Sequence, residues 1–291
     1  MAGTPIDQKD GFIWIDGNLI PWKEASIHFL THALHYGSSV FEGEKAYNGK
    51  IFKMEEHHKR LLRSAELLDM PVKYTVADIN KAAMEVVSKN NLVDAYVRPL
   101  IWRGSEAMGL YSRDCTVHLG IAAWAWPPYF GKEALEKGIS LCWADWIRPD
   151  PRTEPTEAKA SGLYMISTLS KNKAHDRGFE DALMKDYRGY LAECTGANIF
   201  LVINGELHTP DPDCFLNGIT RQTVIELAKQ KGYKVHVRHI MPEEVLNADE
   251  IFVTGTAAEI TPIGRIEEKT YKVGPITKDL MQAYMKLVRG E

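Results

Sequence analysis

Ser39-Val-Phe-Glu-Gly-Glu-Lys-Ala-Tyr-Asn-Gly-Lys-Ile-Phe-Lys-Met54 reads as strand, tight turn and returning strand. Val40 and Phe41 lead to Tyr47, Asn48-Gly49 suits the two positive φ angles of a type I′ turn, and Ile51-Phe52 returns. Gly43 and Gly49-Lys50 also match P-loop spacing. A P-loop needs a strand running into a helix and a hydroxyl after the lysine; here the glycines sit on a hairpin and Ile51 follows, so the match is coincidental. No GxGxxG occurs, which removes support for a dinucleotide fold.

Working outward, Leu61, Leu62, Ala65 and Leu68 form one stripe of a helix over about 55–68. Thr75-Val-Ala-Asp78 is a capping box opening a second helix to about Lys89. Upstream, Phe12 to Asp16 reads as a strand before a Gly17-Asn18 turn. Downstream lie strands from Ala95 to Trp102 and from Thr116 to Trp126. Alternation on the former puts Tyr96, Arg98, Leu100 and Trp102 on one face, where the arginine either snorkels or holds an anion. Pro127-Pro128-Tyr129-Phe130-Gly131 reads as a connector, since proline cannot sit inside a regular ladder.

The second half alternates strands (Ile139 to Trp146, Ala182 to Asp186, Asn198 to Ile203, Tyr233 to Val237, Glu250 to Thr254) with helices (Gly162 to Arg177, Thr220 to Lys231, Thr277 to Val288). The expected class is α/β or α+β. Residues 1–126 form a small N-terminal α/β domain, 127–136 a linker and 137–291 a larger α/β domain.

Composition agrees. The 291 residues, 45% hydrophobic and 25% charged, suffice for two cores and exclude general disorder. A net charge of -4 argues against a general nucleic-acid binder. The start is acidic without an apolar run, so no secretory signal is expected, and the apolar run Leu119 to Phe130 is too short to span a bilayer. Cys115, Cys142, Cys194 and Cys214 form no CxxC, so neither disulfides nor a metal is expected and a reducing cytoplasm fits best. His28, His32 and His35 have helical spacing but apolar neighbours, which favours structural histidines. His57-His58-Lys59-Arg60 with Arg63 reads first as a solvated basic face.

Four stretches carry chemistry. Lys159 lies between Ala158 and Ala160, neighbours small enough for a flat ring to lie against the backbone. Desolvation favours a neutral amine, which bonds aldehydes; the alternative is an ordinary lysine at a helix start. Glu193 ends a strand before Thr195-Gly196-Ala197, where a carboxylate can face a protonated ring nitrogen. Asn217-Gly218-Ile219-Thr220 opens a helix and offers backbone N–H groups to an anion, or simply a Thr cap. Thr254-Gly-Thr-Ala-Ala-Glu-Ile-Thr261 is a hydroxyl-rich loop of small residues suited to an oxyanion. An amine, a carboxylate and two anion cradles are the parts of a pyridoxal-phosphate site.

Six stretches make this specific: His35-Tyr-Gly-Ser-Ser-Val-Phe-Glu-Gly43, Tyr96-Val-Arg-Pro-Leu100, Ala158-Lys-Ala-Ser-Gly-Leu-Tyr164, Glu193-Cys-Thr-Gly-Ala-Asn198, Gly218-Ile-Thr-Arg221 and Thr254 to Pro262. In that order, over nearly the whole chain, they resemble the branched-chain amino-acid aminotransferases of the class IV aminotransferase family. The resemblance implies PLP fold type IV: a small α/β sandwich, a larger domain with a barrel-like β core, and pyridoxal 5′-phosphate in the cleft between them. It implies that Lys159 forms the Schiff base and shuttles the proton, Glu193 keeps the pyridine nitrogen protonated, and Tyr164 bonds the phenolic oxygen. Arg60, Ile219, Thr220 and Thr256 would bind the phosphate, and the backbone of Thr256 and Ala257 the substrate carboxylate.

Phe41, Tyr96, Trp126 and Tyr129 resemble the pocket for a branched side chain, and Arg98 with Tyr36 the groups that catch the second carboxylate of glutamate. Tyr36 reaching from a neighbouring subunit implies a homodimer or an assembly of dimers. The implied reaction is ping-pong transamination of leucine, isoleucine or valine with 2-oxoglutarate. The Tyr96-Val-Arg98 strand favours this over the D-amino-acid, amine and lyase branches of the family. One departure is Glu44-Lys45, where an apolar residue and arginine are usual; these are expected at the outer rim of the site.

Overall fold

The computed structural model describes residues 4–126 and 131–291, and the chain divides into two compact units. The first comprises Met1–Pro127 with Ala158–Gly162, and the second Pro128–Glu157 with Leu163–Glu291. Ala158–Gly162, read from sequence as part of the larger domain, packs with the first unit because Ala160 bridges to Val40. The connector 127–130, with Tyr129, lies outside the described residues.

The first unit holds β1 (Phe12–Ile15), β2 (Asn18–Pro21), α1 (His32–Tyr36), β3 (Ser39–Phe41), β4 (Glu44–Tyr47), β5 (Lys50–Ile51), α2 (Met54–Leu67), α3 (Val76–Lys89), β6 (Ala95–Arg103) and β7 (Val117–Ala125). Its sheet runs β2-β1-β7-β6-β4-β5, with β3 also paired to β6. Asn48 and Gly49 both have positive φ (50° and 75°), so the hairpin turn forms as its sequence requires, but β3 stands apart from it as a separate strand on β6. Thr75 caps α3 through the reciprocal box with Asp78. Leu61, Ile79, Val86, Ile101 and Ile121, all fully buried, form the core between α2, α3 and the sheet. The three histidines near α1 are each hydrogen-bonded: His28 to Leu30 N, His32 to Ser38 and Gly109 O, and His35 to Phe29 O.

The second unit holds α4 (Lys132–Lys137), β8 (Ile139–Trp143), α5 (Met165–Asp176), β9 (Asp181–Lys185), β10 (Leu191–Cys194), β11 (Asn198–Ile203), β12 (Glu206–Pro210), α6 (Ile219–Gln230), β13 (Val235–Arg238), β14 (Glu250–Gly255), β15 (Glu259–Ile266), β16 (Lys269–Thr270) and α7 (Pro275–Arg289). Its sheet runs β10-β9-β8-β15-β14-β11-β12-β13, and β10 also lies against β11 and β12, so the sheet curls like a half-barrel. The core joins Leu141, Leu183, Ile199, Leu201, Ile251, Val253 and Ile263. β15 is invisible as a strand in the sequence because its opening residues read as a loop; the chain turns only at Thr256–Ala258 and returns at once. The helix expected over 162–177 is a 3-10 turn at Ser161–Tyr164 followed by α5. The mixed α/β class is thus borne out.

The Glu44-Lys45 expectation needs correction. Glu44 is fully buried and its carboxylate meets the fully buried His58 Nε2 at 3.0 Å, while His58 Nδ1 meets Asn80 Oδ1 at 2.5 Å. Lys45 is also buried, with its Nζ 5.0 Å over the Tyr47 ring. Neither residue lies at an exposed rim, because β4 turns Glu44 towards α2. Burial disfavours the charged imidazole of His58, but the bonds to Glu44 and Asn80 outweigh this and raise its pKa.

Removing one partner of this pair strands the other. His58→Ala or Glu44→Ala should cost about 3–5 kcal/mol, whereas Glu44→Ile combined with His58→Met should cost far less. Because the pKa of His58 is raised on folding, the pair's contribution is complete below its unfolded value of about 6.5 and fades as pH rises through the raised value. Urea denaturation of the wild type and the double variant against pH checks both statements; equal losses in single and double variants would contradict the pairing.

Candidate active site

Lys159 is positioned by its main chain. Its N–H donates to Ser64 Oγ on α2 (3.0 Å), its carbonyl accepts from Phe41 N on β3 (3.1 Å), and Ser39 Oγ donates to Ser161 Oγ (2.8 Å). Its flanks, Ala158 and Ala160, are 2% and 5% exposed, as close packing of small side chains requires. The Lys159 Nζ stands 4.9 Å from the Phe41 ring centroid, and the Arg98 guanidinium faces the same ring at 4.5 Å.

Arg98 projects from β6 with Tyr96, donating to Tyr96 Oη at 2.9 Å. Its Nε is buried without a hydrogen-bond partner among the described residues. Tyr96 packs against Trp126 and Trp124 with centroids 5.0 and 5.2 Å apart. Gly43 makes this possible: a Cβ there would overlap Tyr96 Oη. One wall thus combines aromatic rings with a cation.

Arg60 leaves the solvated-face reading altogether. Its Nε and Nη2 donate to Glu42 Oε1 and Oε2 at 2.6 and 2.9 Å, and His57 Nδ1 meets Glu42 Oε2 at 2.6 Å. Burial pushes the fully buried Glu42 carboxyl up, but Arg60 and His57 outweigh it and hold it well below the usual range. The guanidinium is therefore locked against a permanent anion.

In the second unit, Glu193 sits at the end of β10, 7% exposed. Arg148 Nη2 reaches its Oε1 at 3.0 Å and Asn198 Nδ2 donates to its Oε2 at 3.0 Å. Asn198 also donates to Leu216 O (3.0 Å) and accepts from Gly218 N (3.1 Å). One amide therefore ties the carboxylate to the start of α6. Gly218 is required there, since a Cβ would overlap Asn198 Oδ1. No side chain caps α6, whose first residues are Ile219 and Thr220, so its N-terminal N–H groups and dipole are available to an anion. Thr256 and Ala257 form the turn between β14 and β15, and Gly255 lies against Gly196 and Ala197. Register pairs Asn198 with Thr254, placing that turn at the strand ends that carry Glu193.

Of the residues singled out from sequence, the first unit carries Lys159, Arg60, Tyr36, Phe41, Tyr96, Arg98 and Trp126. The second carries Tyr164 in the 3-10 turn before α5, with Glu193, Ile219, Thr220, Thr256 and Ala257. Sequence reasoning missed Glu42, Asn198 and Arg148. The first two lie inside quoted motifs and signalled themselves as buried polar residues among apolar ones; Arg148, in an irregular segment, gave no signal.

The class IV amino-transferase family model matches residues 39–266. The branched-chain-amino-acid aminotransferase of Pseudomonas aeruginosa is 42% identical over 290 residues, covering 97% of this chain and 94% of that protein. The branched-chain amino acid aminotransferase of T.th. with pyridoxamine 5′-phosphate superposes with a TM-score of 0.94 at 39% identity, covering 97% and 95% of the two chains. The T.th. enzyme complexed with N-(5′-phosphopyridoxyl)-L-glutamate gives 0.92 at 38% identity and the same coverage. The chain therefore belongs to the class IV amino-transferases, and it is an enzyme of that class.

Asn198→Ala should break three hydrogen bonds at once and leave Glu193 and the α6 turn underbonded. A loss of about 1–3 kcal/mol in thermal or chemical unfolding is expected, with Asn198→Asp no better because it sets a second carboxylate beside Glu193. A neutral Asn198→Ala would show that the tie contributes nothing to stability.

Proposed function

We propose that this protein transfers the amino group of L-leucine, L-isoleucine or L-valine to 2-oxoglutarate in a ping-pong reaction, with pyridoxal 5′-phosphate as cofactor. The observation that carries this reading is the shared Phe41 ring: an amine, Lys159 Nζ, and a guanidinium with an unsatisfied buried Nε, Arg98, face one aromatic wall. Such a wall accepts a hydrocarbon branch in one half-reaction and a carboxylate in the other. The ligand carried by the T.th. neighbour, a phosphopyridoxyl group joined to glutamate, supports the same pairing.

The residues present fit the cofactor's chemistry. Lys159 is an amine between two buried alanines, Glu193 a buried ion-paired carboxylate, and α6 an uncapped helix start behind a glycine that no Cβ could replace. Arg60, Ile219, Thr220 and Thr256 would hold the phosphate, and Tyr164 the phenolic oxygen. When bound, the cofactor supplies an aldehyde that condenses with amines and a ring that takes up the charge left at the substrate Cα. Lys159 Nζ would take the proton from the substrate Cα as base and then give one up as acid on the far side of the transferred nitrogen. Glu193, backed by Arg148 and Asn198, holds the proton at the pyridine nitrogen.

The backbone of Thr256 and Ala257 receives the α-carboxylate. Phe41, Tyr96 and Trp126 exclude water around the branch, a role that the resemblance alone also assigns to Tyr129, and Arg98 with Tyr36 receives the second carboxylate of glutamate. Tyr36 is 45% exposed beside Phe29 and Leu34 (78% and 62%), an apolar face that supports a homodimer or an assembly of dimers in which Tyr36 serves a neighbouring site. The four free, buried cysteines support the cytoplasmic setting proposed here.

Lys159→Ala should abolish leucine:2-oxoglutarate transamination and the yellow chromophore that borohydride reduces; normal turnover by this variant overturns the assignment. Arg98→Met should lower kcat/KM for 2-oxoglutarate by about 10–100-fold, the worth of a charged hydrogen bond, while the leucine half-reaction changes much less. Equal losses in both half-reactions would refute the shared pocket. A donor panel of L-leucine, D-alanine and 1-phenylethylamine tests the substrate class.

A further inference from the structure

A second polar cluster lies in the second unit, on strands that carry none of the residues assigned above. β12 and β13 run parallel at the end of the nine-stranded sheet, with His208 directly opposite His236. Glu206, two residues before His208, shares its face by the alternation of a strand. The two imidazoles stack with centroids 4.7 Å apart and planes 15° from parallel, and Glu206 Oε2 meets His236 Nε2 at 2.7 Å. All three residues are half-buried, and one ligand atom from each lies within 4.8 Å of the others.

We propose that Glu206, His208 and His236 form a binding site for a borderline divalent transition-metal ion, best represented by zinc. Two imidazoles and one carboxylate are a donor set that zinc accepts, with remaining positions left to water. Imidazole nitrogens argue against magnesium or calcium, which take oxygen ligands. Bonds of about 2.0–2.1 Å set tetrahedral edges near 3.3–3.5 Å, so the donor atoms, within 4.8 Å of one another, would draw together by side-chain rotation on binding.

Two cations border the site and set its affinity. Arg238 Nε donates to His208 Nδ1 at 3.1 Å, a bond that holds the imidazole as an acceptor. The lone pair that accepts this bond is the one a metal ion needs. A metal bound at Nδ1 would take that lone pair from Arg238, which retains both Glu244 oxygens (3.0 and 2.6 Å) and His239 O (3.0 Å). Lys234 Nζ binds Glu206 Oε1 at 2.8 Å and leaves Oε2 directed at His236.

The other carboxylate-rich group, Asp186, Asp213 and Cys214, is a poor rival. Arg188 already bridges both carboxylates at 2.6 and 2.7 Å, and burial pushes the Cys214 thiol up to about 12, so no thiolate is on offer.

Isothermal titration of the full-length holoenzyme with zinc chloride tests the proposal. One ion per chain should bind, His208→Ala and His236→Ala should each weaken binding at least tenfold, and the double variant should abolish it. Lys234→Met, which removes a like charge, should tighten binding severalfold, a gain that a merely structural polar ladder does not predict. Leucine transamination should be unaffected in all four variants. No heat of binding up to millimolar zinc, unchanged affinity in both histidine variants, or weaker binding by Lys234→Met would each overturn the site.

Discussion

A carboxylate with no solvent contact, Glu42, governs the first unit. An isolated charge at that depth would cost several kcal/mol, and it persists because Arg60 meets it with two nitrogens and His57 with a third. Those partners both come from α2, so the rotation of α2 about its axis is fixed by the same contacts. With α2 so fixed, Ser64 presents its Oγ to Lys159 N, while the carbonyl of Lys159 is held by Phe41 on β3. A single buried anion therefore sets both the guanidinium of Arg60 and the backbone that carries Lys159.

The second unit solves a comparable problem with a different alphabet. Glu193 is buried with Arg148, but its orientation comes from a neutral amide, Asn198, whose remaining atoms engage Leu216 O and Gly218 N. Neutral hydrogen bonds orient without adding charge, so the carboxylate is aimed while its net environment stays close to balanced. The start of α6 inherits its placement from that amide, and its uncapped N–H groups follow.

What the sequence made legible was whatever local chemistry determines alone. Asn48-Gly49 admits few turns other than type I′, and Thr75 to Asp78 closes its own capping box, so both stand where expected. Lys159 and Glu193 stood out through their small neighbours, which the structure buries. The strand β15 was not, because Thr256, Ala257 and Ala258 carry no period and the pairing of β15 with β14 and β8 is a tertiary fact. Glu44 was expected at the outer rim of the site for the same reason: only α2 and α3, bringing His58 and Asn80, make a buried carboxylate tolerable there, and neither partner is adjacent in sequence. Its departure from the usual family residue is thus absorbed as a set of three side chains.

Four arginines of the two units differ in what their donors meet. Arg103, 4% exposed, donates to the carbonyls of Leu68, Asp69 and Ser112, and Arg221 to Thr209, Asn217 and Pro210 O; both are consumed in holding loops to strands. Arg148 also donates to Ser167 and to the carbonyls of Cys194 and Thr195 beside its contact with Glu193, and Arg98 donates to Tyr96 Oη, but each of these two keeps a buried Nε without a hydrogen-bond partner among the described residues. An unsatisfied buried donor costs about 1–3 kcal/mol, more on a charged group. It falls on the residue beside Phe41 and on the partner of Glu193. Under the function proposed above, the unpaired guanidinium N–H at those two positions is left for an anion or a polar ring to meet, which Arg103 and Arg221 do not offer.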